Sequence, residues 1–208
     1  NNTMHPFVMS MNCSTGAFAG SSECFAEAMH RMEHGAVGVI DDRSTGDLRA
    51  SAGGTWRLVT DEVMGGRSSG RLQPSQEEGR ACLRLTGDVS TERNGGFVQM
   101  ALDVAEDVGV GMDGFAGLEI DVAGNGESYN LHLRTSDLWL PWQSYRHGFV
   151  AGPGWRTLRM PFGAFEGYRT SRPLRLERLK RIGVVAIGRD FEADLCLGGL
   201  RVYREAAT

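Results

Sequence analysis

The chain has 208 residues, a formal charge of −4 at pH 7 and 41% hydrophobic residues. A chain of this length and apolar content can bury one good hydrophobic core. Its acidic balance argues against a surface that attracts nucleic acid as a whole, and no stretch reaches the length of a transmembrane helix. We therefore expect a soluble protein that binds no nucleic acid and has no transmembrane segment.

Residues 1–40 follow the pattern of a short βαβ fragment. The apolar run 6–12 predicts a strand, and the helical spacing of apolar residues from Phe25 to Met32 predicts an amphipathic helix. The run AVGVI at 36–40 predicts a second strand. One such unit cannot cover both faces of a parallel sheet, so the segment is either the remnant of a larger α/β domain or a piece packed against the next domain.

Residues 54–205 have a different pattern, and the polar, Gly/Ser-rich stretch 41–53 before them predicts a linker. Apolar and polar residues alternate in short runs, for example through Leu118, Ile120 and Val122, and glycine-rich turns separate the runs. Many short alternating strands of this kind are typical of an all-β protein. The sequence therefore predicts a mainly β fold, an antiparallel β-sandwich, after the βαβ fragment.

Three sequence features bear on a metal or anion site. Asp61 and Glu62 precede a glycine-rich turn and could offer oxygen ligands, but a tight bend between strands needs the same residues. The four cysteines show no CxxC spacing, which argues against a structural zinc and against a disulfide scaffold. The basic run 168–181 is either a solvated loop and strand entry or a patch for an anionic partner. We expect no metal and no cofactor.

Aromatic residues cluster in a polar segment in the second half of the chain. Trp139, Trp142 and Tyr145 follow Arg134 closely in the sequence. Aromatic side chains stack on sugar rings as well as on core neighbours, and a long loop packed against the core would use the same residues. If the segment lines a ligand groove, these four side chains are the first candidates for contact with the ligand.

A series of sequence blocks carries a family resemblance. The run W…V.DEVMGGRSSG is followed by NGGF, YNLHLRT, WQSYRHGF and GWRTLRMPFGAF. The motif positions in the first two blocks are Asp61, Met64, Gly65, Gly66, Ser68, Gly95, Gly96 and Phe97. In order and spacing these blocks resemble the CIA30 family, complex I intermediate-associated protein 30, over about residues 54–203. The resemblance implies a galactose-binding-like β-sandwich, or jelly roll, in agreement with the strand pattern.

The CIA30 resemblance implies a binding or assembly module rather than an enzyme. Mitochondrial members of that family are assembly factors for respiratory complex I, and no catalytic residues carry over from it. We expect the sandwich to recognise a protein partner or a glycan through one face or its loops, and the binding candidates are Arg134, Trp139, Trp142 and Tyr145. The compartment stays open, although a bacterial member of the family would be cytoplasmic.

A second, shorter resemblance covers residues 6–40. PFVMSMNCSTGAF and ECFAEAMHRMEHGAVGVI are similar to the nucleophile segment of gingipain-type cysteine peptidases, which have a caspase-like α/β fold. Cys13 matches the catalytic cysteine of that family. The alternative function is therefore a fragment of such a peptidase fused to a binding domain. Because the partner histidine comes from an earlier strand in that family, we expect this chain not to cleave peptides.

Overall fold

The computed structural model describes residues 38–104, 112 and 114–205. These residues form twelve β-strands and four short 3-10 turns, and the described ranges contain no α-helix. In chain order the strands are β1 (Gly38–Asp41), β2 (Trp56–Thr60), β3 (Ser69–Glu77), β4 (Arg80–Val89), β5 (Phe97–Asp103), β6 (Gly117–Gly124), β7 (Ser128–Thr135), β8 (Ser144–Val150), β9 (Arg156–Pro161), β10 (Glu166–Tyr168), β11 (Leu179–Ile187) and β12 (Phe191–Tyr203).

The strands form two six-stranded sheets. Sheet I has the order β3-β4-β12-β6-β9, with β1 also pairing with β12, and sheet II has the order β10-β8-β7-β11-β5-β2. Every pair of neighbouring strands is antiparallel. The predicted antiparallel β-sandwich is therefore confirmed, and the chain passes repeatedly from one sheet to the other, as in jelly rolls.

The hydrophobic core is built by side chains at alternate positions of the strands. In β6 the core residues are Leu118, Ile120 and Val122, and in β7 they include Leu131 and Leu133. Because successive side chains of a strand point to opposite faces, the residues between them point away from the core. The alternation therefore determines which side chains of each sheet lie on its outer face.

The predicted second strand of the βαβ fragment is present, but it belongs to the sandwich. β1 pairs antiparallel with β12, with Gly38 opposite Val202, and Ile40 is part of the core. This pairing differs from the parallel sheet that a βαβ unit would form. Residues 1–37, which hold the remainder of the predicted fragment and most of the gingipain-like segment, lie outside the described residues.

Residues 41–53, for which we expected a linker, are integrated into the sandwich through Asp41. The buried Asp41 carboxylate accepts hydrogen bonds from the indole N–H of Trp56 at 2.6 Å and from the backbone N–H of Arg43 at 2.9 Å. The Arg43 guanidinium pairs with the same carboxylate and also donates to the carbonyl of Asp47. A carboxylate removed from water needs such partners, so part of the polar composition of this stretch forms an internal ion pair.

A disulfide joins Cys82 of β4 to Cys196 of β12 on the outer face of sheet I. The two strands are neighbours, and the Cα atoms are 5.5 Å apart, a normal separation for a bridged pair. The spacing of the cysteines did not indicate this bond, because 114 residues separate the two. The cysteine pattern was weighed only for a disulfide scaffold, and this single bond was not predicted.

The glycine-rich run after β2 forms a cage around the carboxylate of Asp61. This buried carboxylate accepts hydrogen bonds from the Ser68 hydroxyl at 2.7 Å, from the Ser68 backbone N–H at 2.9 Å and from the Gly96 backbone N–H. The Phe97 N–H lies 3.4 Å away. Burial raises the pKa of Asp61, but these hydrogen bonds outweigh burial and hold the pKa below its ordinary value. The fold itself uses this carboxylate, which favours the turn over a metal loop.

Gly66 and Gly95 are required because they touch the Asp61 carboxylate. A Cβ added at Gly66 would lie 2.2 Å from Asp61 Cγ, and one added at Gly95 would lie 2.2 Å from Asp61 Oδ2. Gly65 differs, because its φ of +83° favours glycine for backbone reasons, and no described atom lies within 4 Å of a Cβ built there. Met64 is exposed beside the cage. Most of these motif residues thus enclose one carboxylate and bend the chain around it.

Replacement of Gly66 should cost more stability than replacement of Gly65. We expect Gly66→Ala to lower the free energy of unfolding by roughly 3 kcal/mol, because the added methyl group displaces a buried carboxylate from its donors. Gly65→Ala should cost about 1 kcal/mol, which is the strain of a left-handed backbone. Urea unfolding followed by tryptophan fluorescence measures both values. An equal or smaller loss for Gly66→Ala would contradict the cage.

Candidate functional site

The four candidate ligand-binding side chains lie in different environments. Trp139 is 83% exposed and Trp142 is 47% exposed, and both belong to residues 136–143 between β7 and β8, which we name the tryptophan loop. Arg134 is half-buried near the end of β7. Tyr145 is buried in the core, because it occupies an inward position of β8, and its hydroxyl donates to a backbone carbonyl at 2.9 Å. The expectation of ligand contact is therefore corrected for Tyr145, whereas both tryptophans are accessible.

The tryptophan loop is held against the outer side of sheet II by Arg134. The guanidinium donates hydrogen bonds to the carbonyl of Pro141 at 2.7 Å and to that of Leu140 at 3.1 Å. Arg134 points away from the core because the adjacent Leu133 points into it. The loop therefore folds back over the outer face of sheet II, and Arg134 positions it there.

Further contacts fix both ends of the tryptophan loop. The side-chain amide of Gln143 donates to the carbonyl of Arg169 at 3.0 Å. At the other end, the buried Asp137 pairs with Arg175 at 2.7 Å and with Arg178 at 3.1 Å. A loop with such contacts has little conformational entropy left to lose when it binds. The backbone that carries the two exposed indole rings is therefore held in place.

The basic run 168–181 mostly forms contacts within the protein. Arg175 and Arg178 pair with the acid of the tryptophan loop, and Arg181 pairs with Asp103 of β5 at 2.6 Å. The run ends inside β11. These contacts agree with its interpretation as a loop and strand entry, although Arg181 also reaches the outer face of sheet II.

The outer face of sheet II carries polar side chains that the sequence interpretation missed. In β7, Asn130 and His132, which the sequence analysis did not name, lie on this outer face together with the predicted candidate Arg134. The strand register places His132 beside Arg146 of β8 on one side and beside Gly183 of β11 on the other. The alternation in YNLHLRT was a usable signal for the β7 residues, because its leucines mark the inward positions. The cross-strand neighbours could be identified only from the register.

Small residues form the floor of this face. Gly183 of β11 lies opposite Ala101 of β5, and both are buried although they point away from the core. The amide of Gln99 lies over Gly183, since a Cβ added there would be 2.1 Å from Gln99 Nε2. Longer side chains stand on both sides, with Arg146 towards β8 and Arg57 on β2. The outer face of sheet II therefore has small residues at its centre, covered by the longer polar side chains around them, and we call this polar surface the groove.

Arg146 stacks on Tyr168 at one wall of the groove. Its guanidinium carbon lies 3.4 Å from the centre of the Tyr168 ring, and its Nε donates to the Ser144 hydroxyl at 2.9 Å. Burial lowers the pKa of Arg146 from its ordinary value, and the nearby Arg169 lowers it further. Within the described ranges no carboxylate forms an ion pair with Arg146. An anionic or oxygen-rich ligand would stabilise a half-buried cation in this position.

His132 lies in the floor of the groove, and its Nε2 atom has no hydrogen-bond partner among the described residues. The side chain is only 8% exposed. Burial, together with the nearby Arg146, lowers the pKa of His132 to about 3. The ring is therefore neutral at pH 7 and offers one N–H donor and one acceptor. A buried polar atom without a partner costs free energy.

A cleft of about 460 Å³ opens at the end of sheet II. Leu138 and Leu179 supply apolar lining, and Arg134 and Arg181 supply charge. The Thr135 hydroxyl also lines it and has no partner in the part of the chain that the structure describes. The volume is in the range of small-ligand sites. Because both arginines also belong to the outer face of sheet II, the cleft continues the groove.

The outer face of sheet I also carries charged side chains, but they neutralise one another. Glu119 pairs with Arg159 at 2.8 Å and with Arg201 at 2.9 Å. Asp121 pairs with Arg201 at 2.8 Å and accepts a hydrogen bond from the Thr157 hydroxyl at 2.6 Å. Burial raises the pKa of Asp121, but these donors outweigh burial and lower the pKa to about 2. The two outer faces therefore differ in how far their charges are satisfied internally.

The described residues contain neither a metal-binding cluster nor a membrane-spanning helix. Among them, no group of three or more His, Cys, Asp and Glu side chains is arranged to hold a metal ion. No helix within the same ranges is long and apolar enough to cross a membrane. Cys13, the nucleophile under the peptidase alternative, lies outside the described residues, so that alternative stays a prediction.

The neutral state of His132 predicts a loss of stability at mildly acidic pH. Its pKa is 6.5 without the fold and about 3 within it, so between these values the unfolded state binds the extra proton and the free energy of unfolding falls as the pH falls. The slope should reach up to about 1.4 kcal/mol per pH unit. His132→Gln should remove this slope between about pH 6 and pH 5, as measured by urea unfolding. An identical pH dependence for wild type and variant would show that His132 is not buried in the neutral form.

Among solved structures, carbohydrate-binding modules share this fold. The family 11 module of a cellulosomal cellulase of Clostridium thermocellum aligns with 83% of this chain and 97% of its own, at 10% identity and a TM-score of 0.66. A family 11 module from that organism in complex with a β-1,3-1,4-mixed-linked tetrasaccharide aligns over 85% and 100%, at 10% identity and a TM-score of 0.66. The family 30 module of another of its cellulosomal cellulases aligns over 78% and 98%, at 10% identity and a TM-score of 0.51. At these identities the likeness shows the fold alone.

Family membership follows from the sequence. No curated protein matches the chain. The model of the family CIA30, complex I intermediate-associated protein 30, matches residues 47–197. This range includes the Asp61 cage and the tryptophan loop. Because the match spans well over half of the chain, the protein belongs to the CIA30 family.

Proposed function

We propose that this chain is a non-enzymatic binding module that holds a glycan between the tryptophan loop and the outer face of sheet II. The observation that carries the proposal is the exposure of Trp139 and Trp142 on an anchored loop, beside a polar surface that carries the half-buried Arg146. Neighbouring large apolar rings left in water on an ordered loop indicate an interaction site.

The groove supplies the polar contacts that a sugar requires. A sugar ring presents an apolar face, which an indole ring can cover, and hydroxyl groups that both donate and accept hydrogen bonds. On the outer face of sheet II, Asn130 offers both kinds of partner, and Arg146 offers donors. An apolar platform with a few convergent polar groups is the usual composition of a small-ligand site.

The placement of carboxylates supports binding rather than glycoside hydrolysis. The acids in the strands of sheet II are Asp103 of β5 and Glu166 of β10. Four strand spacings separate β10 from β5, which amounts to about 19 Å at ~4.8 Å each. The acid pairs of glycosidases lie roughly 5 to 9.5 Å apart. Asp103 is also held by Arg57 and Arg181, so these two acids are not placed to act on one glycosidic bond.

Recognition of a protein partner is the second candidate. The family name refers to association with an intermediate of complex I, and tryptophan is enriched in the binding hot spots of protein interfaces. Trp139, Leu140 and Trp142 are all exposed and would offer such a surface. We place the glycan first because the groove beside the loop is polar, and because the neighbours that align over nearly their whole length are carbohydrate-binding modules.

Affinity of the whole chain for a panel of purified polysaccharides tests the proposal. We expect binding that weakens roughly 30-fold in Trp139→Ala and in Trp142→Ala, since truncation removes the stacking surface. Met64→Ala is the matched control, because Met64 is 59% exposed but lies beside the Asp61 cage, at the opposite end of sheet II. It should bind as the wild type does. Isothermal titration calorimetry measures all four proteins.

The outcomes separate the two candidates. Polysaccharide binding that both tryptophan variants lose and the control keeps would support the glycan. A purified protein partner whose binding needs both tryptophans, without polysaccharide binding, would favour the second candidate. Binding that neither tryptophan variant weakens would place the site elsewhere.

A further inference from the structure

We infer that the glycan held by the groove is acidic and that Arg146 binds its carboxylate or sulfate group. The inference rests on the proposed function and adds the chemical class of the ligand. Its basis is an excess of positive charge on the outer face of sheet II, in a chain whose formal net charge is −4.

Cations outnumber acids on the outer face of sheet II. The outward charged residues of its strands are Arg57, Arg134, Arg146, Arg181, Asp103 and Glu166. Asp103 pairs with both Arg57 and Arg181. Arg134 and Arg146 form no ion pair with any acid in the described ranges. Within the described ranges, this face therefore holds two half-buried cations that form no ion pair.

Arg146 is the better placed of these two cations to meet a ligand. The terminal nitrogens of Arg134 donate to carbonyls of the tryptophan loop. The guanidinium of Arg146 instead lies on the Tyr168 ring, and its Nε is bound by Ser144. A guanidinium supported in this way keeps two terminal nitrogens for a bidentate contact with a carboxylate or sulfate. Glu166 lies opposite Arg146 in the strand register but forms no ion pair with it.

The outer face of sheet I shows that this imbalance is specific to sheet II. There Arg201 binds both Glu119 and Asp121, and Arg84 pairs with Asp194 at 2.6 Å. The half-buried arginines of that face thus have carboxylate partners from neighbouring strands. The same residue type is left without such a partner on the face that also carries the tryptophan loop.

The residues around Arg146 favour an anionic sugar over a polyanion that contains no sugar. His132 lies beside Arg146 in the register, and its Nε2 has no partner among the described residues. A sugar unit that places its anionic group on Arg146 brings its hydroxyl groups to the polar side chains beside that residue. A chain of acidic side chains alone, such as polyglutamate, would meet the charge but would not provide rings for Trp139 and Trp142.

Affinities for four defined probes test the inference. Polygalacturonate carries carboxylates on a sugar chain, a sulfated galactan carries sulfates, mixed-linkage β-1,3-1,4-glucan is neutral, and polyglutamate carries carboxylates without sugar. Near physiological salt, where long-range attraction is screened, we expect at least one acidic glycan to bind about tenfold more tightly than the glucan and polyglutamate. Which acidic glycan binds more tightly identifies the anionic group.

Substitutions locate the contact. Arg146→Gln should weaken binding of the acidic glycan by about tenfold or more. Arg146→Lys keeps the charge without the planar fork and should recover only part of the affinity, and it keeps the test open if Arg146→Gln fails to fold. Arg71→Gln is the matched control, because Arg71 is an exposed arginine of β3 on the other sheet, and it should bind as the wild type does.

Each other result has a defined meaning. Tighter binding of the neutral glucan, with both tryptophans still required, would overturn the inference and leave the proposed function intact. No binding to any of the three polysaccharides would overturn both. Equal binding of polyglutamate, or a loss in Arg71→Gln as large as that in Arg146→Gln, would indicate general charge attraction and would overturn the inference.

Discussion

The buried carboxylate of Asp61 ties the two sheets together where the chain crosses between them. Its donors come from the connection between β2 and β3 and from the start of β5, and both connections lead from one sheet to the other. An ionised group in such a place needs several donors, and the donors need glycines that let the backbone approach. Most of the motif residues are explained by this one anion, which fixes one end of the sandwich and with it the strands that carry the groove.

At the other end of sheet II, a second polar anchor makes a binding surface out of a loop. Arg134 holds the tryptophan loop by two of its carbonyls, so the loop is ordered although its tryptophans are exposed. Arginine has three different roles on this one face. Arg134 positions the loop, Arg181 is neutralised by Asp103, and Arg146 lacks a counter-ion among the described residues. The neighbours across the sheet decide these roles, because the residue type is the same in all three.

The sequence predicted the sandwich because alternation is strong in strands such as β6 and β7, which have one buried face. It did not predict the role of residues 41–53, because the polar composition of this stretch is also that of a solvated linker. Nothing in that composition indicates that Asp41 and Arg43 form a buried pair. Trp142 and Tyr145 are both aromatic, but β8 begins between them. Trp142 therefore lies in the exposed loop, and Tyr145 occupies an inward position of the strand. The association of His132 with Arg146 depends on register between strands, which composition and spacing do not reveal.

The indole N–H resonances of the four tryptophans, followed by NMR as an oligosaccharide of the more tightly bound acidic glycan is added, test the site most directly. Trp56 donates to Asp41 at 2.6 Å and Trp155 to the carbonyl of Glu77 at 3.0 Å, so these two resonances should stay in place. The resonances of Trp139 and Trp142 should shift with a single affinity, together with amides of β7 and β8. Shifts confined to sheet I, or to the turn around Asp61, would contradict the placement of the ligand on the outer face of sheet II.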